Sequence, residues 1–143
     1  MRKLFVLNGP NLNRLGTREP EVYGHDSLDD IAGRLHAQAQ DLGVEVDVRQ
    51  SNHEGHLIDW LHEAADKGAS AVILNAGGLT HTSVSLRDAI AAIPTPVIEV
   101  HLSNPHAREG FRRRSLISGV CTGSISGFGA VSYALALDAA ARL

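Results

Sequence analysis

Three stretches of this chain gather side chains able to move a proton or grip an anion. The first, Asn8 to Gly24, carries Asn8, Asn11, Asn13, Arg18 and Tyr23; the second carries Asn75 and His81; the third carries Glu99, His101, Ser103, Arg108 and Arg112. No cysteine is among them, so the chemistry on offer is acid–base work supported by amide and cationic hydrogen bonds. Glu99 lies close enough along the chain to orient His101 by hydrogen bonding, and a histidine held this way is a competent proton donor or acceptor. A free tyrosine is protonated at neutral pH, and Arg18, in the same loop as Tyr23, favours the phenolate by charge proximity. Arg108 and Arg112 suit a carboxylate or a hydroxylated anion. Backbone N–H groups just after His101 suit a carboxylate at a strand-to-helix junction. Each residue alone has a plainer reading: Tyr23 as loop packing, His101 as a structural histidine, the arginines as a solvated face. Their joint placement is what points to a site.

Other chemistries find less support. No Gly-x-x-x-x-Gly-Lys-Ser/Thr occurs, which excludes a P-loop. Gly123 to Gly129 is not a dinucleotide fingerprint and reads as small residues for close helix–sheet packing. Asn75 stands where a phosphoacceptor receiver needs aspartate. His53, His56 and His62 lie on a polar turn and a helix surface and lack the convergence a zinc site requires. No metal ligand set is expected.

The elements that must position these residues follow from apolar spacing. Leu4–Leu7 is too short for a helix and reads as a buried strand. The connection after it is long and polar, and long connections are usually functional. Asp26 or Ser27 is expected to cap a helix with Leu28, Ile31, Leu35 and Leu42 on one face, closed by Gly43. Val44, Val46 and Val48 alternate with polar residues in a half-buried strand near an edge. A second helix presents Leu57, Ile58, Leu61 and Ala64-Ala65 and closes at Gly68. Ala71–Leu74 is an apolar strand. Thr80 or Thr82 is expected to cap a third helix through Val84, Leu86, Ala89 and Ile90. Val97–Val100 is a fourth strand, and a basic stretch with a helical turn follows to Ser115. A fifth strand is expected over Val120–Ile125, and a last helix from about Gly129 to Arg142 with Val131, Leu135 and Leu137 on its face. Apolar strands alternating with amphipathic helices predict an α/β fold, a flavodoxin-like three-layer sandwich around a five-stranded parallel sheet. Ligands of such folds sit beyond the carboxyl ends of the strands. That rule brings the three reactive stretches to one rim.

Composition sets outer bounds. The 143 residues suit one domain, 1–143, and 43% are hydrophobic, ordinary for a globular chain. A net charge of −3 gives no electrostatic footprint for nucleic acid. The lone Cys121 forms no internal disulfide and fits a reducing compartment. Arg2-Lys3 before LFVL is too short a run for a signal peptide, and no stretch is apolar enough for a membrane helix. A cytoplasmic location without membrane association is the expectation.

Four blocks resemble a known family: LNGPNLNRLGTREPEVYG at 7–24, QSNHEGHLIDWLHEA at 50–64, ILNAGGLTHTSVSLRDAI at 73–90 and VIEVHLSNPHAREGFRRRS at 97–115. Together they resemble the type II 3-dehydroquinate dehydratases of the shikimate and quinate pathways, in order and spacing across almost the whole chain. The resemblance implies a hydro-lyase that removes water from 3-dehydroquinate by anti elimination, through an enolate, to give 3-dehydroshikimate. It implies no metal or organic cofactor. It implies Tyr23 as the base, Arg18 as its activator and a clamp on a closing lid, His101 as the general acid and Glu99 as its orienter. Asn11 would stabilise the enolate. Asn75, His81 and Arg112 would bind substrate hydroxyls, and Leu102 and Ser103 would hold the carboxylate through backbone N–H groups. Asp88 matches a residue contributed across a subunit boundary in a homododecamer built as a tetramer of trimers. Leu79, Gly78, Arg14 and Gly119 depart from the usual pattern, none at a catalytic position. Two other classes remain at this stage: a nucleotide- or flavin-binding module, for which Pro10 makes a poor phosphate cradle because it lacks an N–H, and a non-catalytic scaffold.

Overall fold

The computed structural model of the protein describes residues 1–17 and 19–143. Its five strands are β1 (Arg2–Asn8), β2 (Val44–Gln50), β3 (Ala71–Asn75), β4 (Val97–His101) and β5 (Gly123–Ser126). All neighbouring pairs are parallel, in the order β2-β1-β3-β4-β5. This is the flavodoxin-like doubly wound order, as expected from the alternation of elements. Parallel neighbours need crossovers, and here they are helices: α2 (Leu28–Leu42), α3 (Glu54–Asp66), α4 (Val84–Ala92) and α5 (Val131–Ala140). A further single turn, α1 (Pro20–Tyr23), lies within the first loop.

The alternation of side chains along each strand assigns the two helical layers. Leu4, Val6, Ile73, Ile98 and Val100 pack with Ile31, Leu35 and Ala39 of α2 and with Tyr133, Ala136, Leu137 and Ala140 of α5. Phe5, Leu7, Val72, Leu74 and Val97 pack on the opposite face with Leu57, Leu61 and Ala64 of α3 and Leu86, Ala89 and Ile90 of α4. Strands β1 and β3 are buried on both faces, which is why their apolar runs show no alternation. The valine alternation of β2 fits its place at an edge, paired with β1 alone.

Local signals read well for α2. Ser27 caps it, accepting from the Asp30 N–H, while the Asp30 carboxylate accepts from the Ser27 N–H. Two boundaries and one buried face differ from expectation. The cap of α4 is Ser83, whose Oγ accepts from Leu86 N at 2.9 Å; Thr80 lies in the preceding 3-10 turn Gly77–His81, and Thr82 ends that turn. Strand β5 begins only at Gly123, because Ser118–Val120 forms a 3-10 turn. In α5 the buried stripe is Tyr133, Ala136, Leu137 and Ala140, whereas Val131 is 58% and Leu135 40% exposed. A helix apolar on nearly every side offers no contrast by which its sequence could choose a face.

The loops after β1 and β3 come into backbone contact. Gly9 N donates to Asn75 O at 2.8 Å, and a Cβ on Gly9 would lie 2.6 Å from Ala76 O. Gly77, at φ +60°, likewise leaves no room for a side chain: a Cβ there would meet Pro10 O at 2.9 Å. Backbone cannot yield as a flexible side chain can. Gly9→Ala is therefore expected to destabilise the fold by about 1–3 kcal/mol, the usual range for overpacking. Urea denaturation checks it; an unchanged midpoint refutes the close approach.

Candidate active site

A cleft opens beyond the carboxyl ends of β1, β3 and β4. It encloses about 490 Å³, open solvent included, within the ordinary range for small-molecule sites. Residues from four segments line it: Pro10 to Leu12, Tyr23, the turn from Asn75 through His81, and His101 through Arg112. Of the residues singled out in the sequence, Asn11, Tyr23, Asn75, His81, His101, Leu102, Ser103, Arg108 and Arg112 all border this cleft. Glu99 stands behind His101. Asp88 does not border the cleft; it lies on α4, its side chain 62% exposed and paired with Arg87. Arg18 lies outside the described residues. No group of three or more His, Cys, Asp or Glu side chains suited to a metal ion occurs among the described residues.

The first wall is built from β1 and β2. Asn11 has φ +72°, a left-handed conformation that asparagine tolerates better than most residues. Its N–H donates to Asn52 Oδ1 at 2.9 Å, and Gln50 Nε2 donates to the same oxygen at 3.1 Å and to Gly9 O at 3.2 Å. The turn after β2 thus braces the loop after β1.

Behind the cleft floor sits a polar network in an apolar setting. Asn8 and Asn75 occupy matching register positions at the ends of β1 and β3. Asn8 is fully buried and Asn75 nearly so. The Tyr133 hydroxyl, reaching in from α5, donates to Asn8 Oδ1 at 2.6 Å and accepts from Asn75 Nδ2 at 2.9 Å. Asn75 Oδ1 in turn accepts from Gly77 N at 3.2 Å. The amide of Asn75 is therefore held in one orientation before any ligand arrives. Burial pushes the Tyr133 phenol well above its ordinary value, opposed in part by the Asn75 hydrogen bond, so it remains a neutral donor.

The opposite wall carries the titratable pair. Residues two apart on a strand share a face, and the Glu99 carboxylate meets His101 Nε2 at 2.6 Å. Glu99 is 2% exposed and the His101 side chain 12%. Burial works against the charge on Glu99. Hydrogen bonds from His101, Ser118 and Ser115 outweigh it and hold the carboxyl below the usual carboxylate range. An ionised Glu99 accepts, so His101 donates through Nε2. At the rim, the Arg108 guanidinium lies 4.9 Å from the Tyr23 ring centroid, within cation–π range, and Arg108 Nη1 donates to Ser103 Oγ at 3.4 Å. Arg112 Nε donates to Glu109 at 2.6 Å, and His81 Nδ1 lies 2.8 Å from Arg114 O.

Several supporting residues escape a reading of the sequence. Asn52, Ser115 and Ser118 lie in polar stretches with no period to mark them. Tyr133 had a signal: a phenol within an aliphatic helix needs a hydrogen-bond partner once buried.

Comparison with known proteins bears on the family and the fold. The sequence model of the family described as dehydroquinase class II matches residues 2–141. The 3-dehydroquinate dehydratase of Phenylobacterium zucineum is 56% identical over 99% of this chain and 97% of its own. That of Caulobacter vibrioides is 57% identical over 98% of this chain and 95% of its own. Among solved structures, the type II dehydroquinase of Butyrivibrio crossotus superposes with a TM-score of 0.96 at 40% identity, covering 97% of each chain. The type II dehydroquinase of Propionibacterium acnes gives 0.96 at 43% identity, over all of this chain and 98% of that one.

Removal of the Tyr133 hydroxyl strands two buried amide groups. Tyr133→Phe is expected to cost about 1–3 kcal/mol, the price of an unpaired buried donor or acceptor. Thermal unfolding measures it; a variant as stable as the parent means that the network contributes nothing.

Proposed function

The chain belongs to the dehydroquinase class II family, and on that premise we propose how it dehydrates 3-dehydroquinate, the substrate for which its relatives are named. The observation that carries the reading is a histidine held by a buried carboxylate in the same cleft as Tyr23. Removing water next to a ketone needs a base, donors for the developing oxyanion and an acid for the leaving group.

In the proposed reaction the Tyr23 phenolate takes the proton from C2 of the substrate. The C–H electron pair becomes the enolate double bond, and charge builds on the ketone oxygen beside Asn11. The enolate then re-forms the ketone as it expels the hydroxyl on the far face. His101 supplies a proton, so the group departs as water and 3-dehydroshikimate remains. Tyr23 ends protonated and His101 one proton poorer; transfer through solvent resets both. Asn75, His81 and Arg112 bind substrate hydroxyls, and the backbone N–H groups of Leu102 and Ser103 hold its carboxylate. Arg18 is the proposed activator of Tyr23. Arg108, over the Tyr23 ring, helps hold the phenol in the cleft. These side chains account for every proton moved, so the scheme uses no metal or organic cofactor. The lone cysteine fits a reducing, cytoplasmic setting.

Growth of the product's conjugated enone absorbance on incubation with 3-dehydroquinate tests the activity. No change between about pH 6 and about pH 10 would end the proposal. Tyr23→Phe is expected to be nearly inactive yet still to bind substrate. His101→Ala is expected to lose about 10²–10⁴-fold in kcat with little change in KM. A His101→Ala enzyme whose KM rises at intact kcat would make the residue a binding group instead.

The proposed assembly is a homododecamer of four trimers in which Asp88 reaches a neighbour's cleft. In support, Asp88 faces outward from its own subunit. Light scattering at assay concentration checks the size, and a fully active monomer rules out both assembly and shared site.

A further inference from the structure

A segment remote from β4 in sequence closes around Glu99. Ser115 Oγ lies 3.0 Å from Glu99 Oε2, the oxygen already bound to His101. Ser118 Oγ bonds the other oxygen, Oε1. The direction of these bonds is set by chemistry. An ionised carboxylate has no proton to give, so both hydroxyls donate. Ser115 Oγ also accepts from Ile117 N at 3.3 Å and Ser118 N at 3.1 Å, which occupies its lone pairs and aims its hydrogen at Glu99. The backbone turn at 115–118 thus acts as a jig for two hydroxyl donors.

We propose that Ser115 and Ser118 are positioning residues for the proton-donating pair: they hold the Glu99 carboxylate charged and aligned, so that His101 keeps Nε2 committed to Glu99 and presents its other ring nitrogen to the substrate. The proposal rests on the reading of His101 as general acid. A carboxylate this deeply buried is costly to keep ionised unless its oxygens are hydrogen-bonded. His101 alone leaves Oε1 without a donor. With the serines in place, both oxygens are satisfied and the carboxylate stays charged and fixed against His101.

Other groups facing Glu99 do not replace them. Cys121, in the turn that follows, has its thiol pushed up to about 12 by burial and by the Glu99 charge, so it carries no charge of its own. Across the polar cavity that Glu99 borders stand His81, His106 and the guanidiniums of Arg112, Arg113 and Arg114. The guanidiniums carry fixed positive charge, but none of these side chains hydrogen-bonds the carboxylate. The serines touch it directly and also fix its plane.

The sign of the effect follows. The folded protein holds the Glu99 carboxyl below its ordinary value, so its charge is present above that range and is lost as pH falls through the depressed pKa. Removing one hydroxyl donor raises that pKa. The acid limb of the kcat profile is expected to move to higher pH in Ser118→Ala by about one to two units, the equivalent of one hydrogen bond to a charged group. Ser118→Thr keeps the hydroxyl and is expected to restore the parent profile. Ser115→Ala, which leaves Oε1 bonded, is the second variant should Ser118→Ala fail to fold, and is expected to shift the limb in the same direction. Each substitution is also made in a His101→Ala background, where it is expected to be silent on residual kcat if the serines act through His101. An unmoved acid limb in a folded Ser→Ala variant, or an equal kcat loss with and without His101, overturns the proposal. Failure of the general-acid reading is seen separately, as an intact kcat in His101→Ala with both serines present.

Discussion

Asn8 and Asn75 end two neighbouring parallel strands, and both bury amide groups where water cannot reach them. Polar groups in that position are tolerated only when hydrogen-bonded. Tyr133 meets the need from another element, giving its proton to one asparagine and taking one from the other. The bridge locks the register of β1 against β3 and the seating of α5 on the sheet. It also fixes the amide of Asn75 at the cleft floor. Stability and site geometry therefore share the same three side chains. The apolar surroundings strengthen these bonds and raise the penalty for breaking any one of them.

The facing wall solves a different problem. A histidine can move a proton only if its tautomer and orientation are set, and a buried carboxylate does both. Two residues apart on one strand, Glu99 and His101 share a face by backbone geometry alone. The charge on Glu99 then needs its own support, and β4 has no more hydrogen bonds to offer it. A turn beyond the next loop provides the two hydroxyls. The hydrogen bonding of this carboxylate thus depends on a segment outside the strand that carries it.

Glycine is needed where the first and third strands hand over to their loops. Gly9 and Gly77 let two backbones approach to a distance that any Cβ would forbid. This contact brings Asn11 and Asn75 to the same cleft. On the outer rim the Arg108 guanidinium rests against the Tyr23 ring, so a loop from β4 stabilises a residue carried by the loop from β1. Asp88 has no part in this enclosure; it lies on α4, exposed and paired with Arg87.

By itself, the sequence determined what depends on local periodicity and chain connectivity. Apolar strands and amphipathic helices in strict alternation dictate a parallel sheet with helical crossovers, and such a sheet gathers its strand-end loops on one rim. The strand period of two brings Glu99 and His101 together, and the spacing of Ser27 and Asp30 marks the start of α2. Tertiary structure alone decided the rest. Tyr133 meets Asn8 across 125 positions and Asn75 across 58, and no local pattern encodes such a distance. The buried face of α5 was illegible because that helix is apolar nearly all round. Ser83, rather than a nearby threonine, caps α4 because the chain first makes a 3-10 turn through His81. Asn52, Ser115 and Ser118 are ordinary surface residue types whose roles arise only when folding carries a strand-end loop or a buried carboxylate to within hydrogen-bond reach of them.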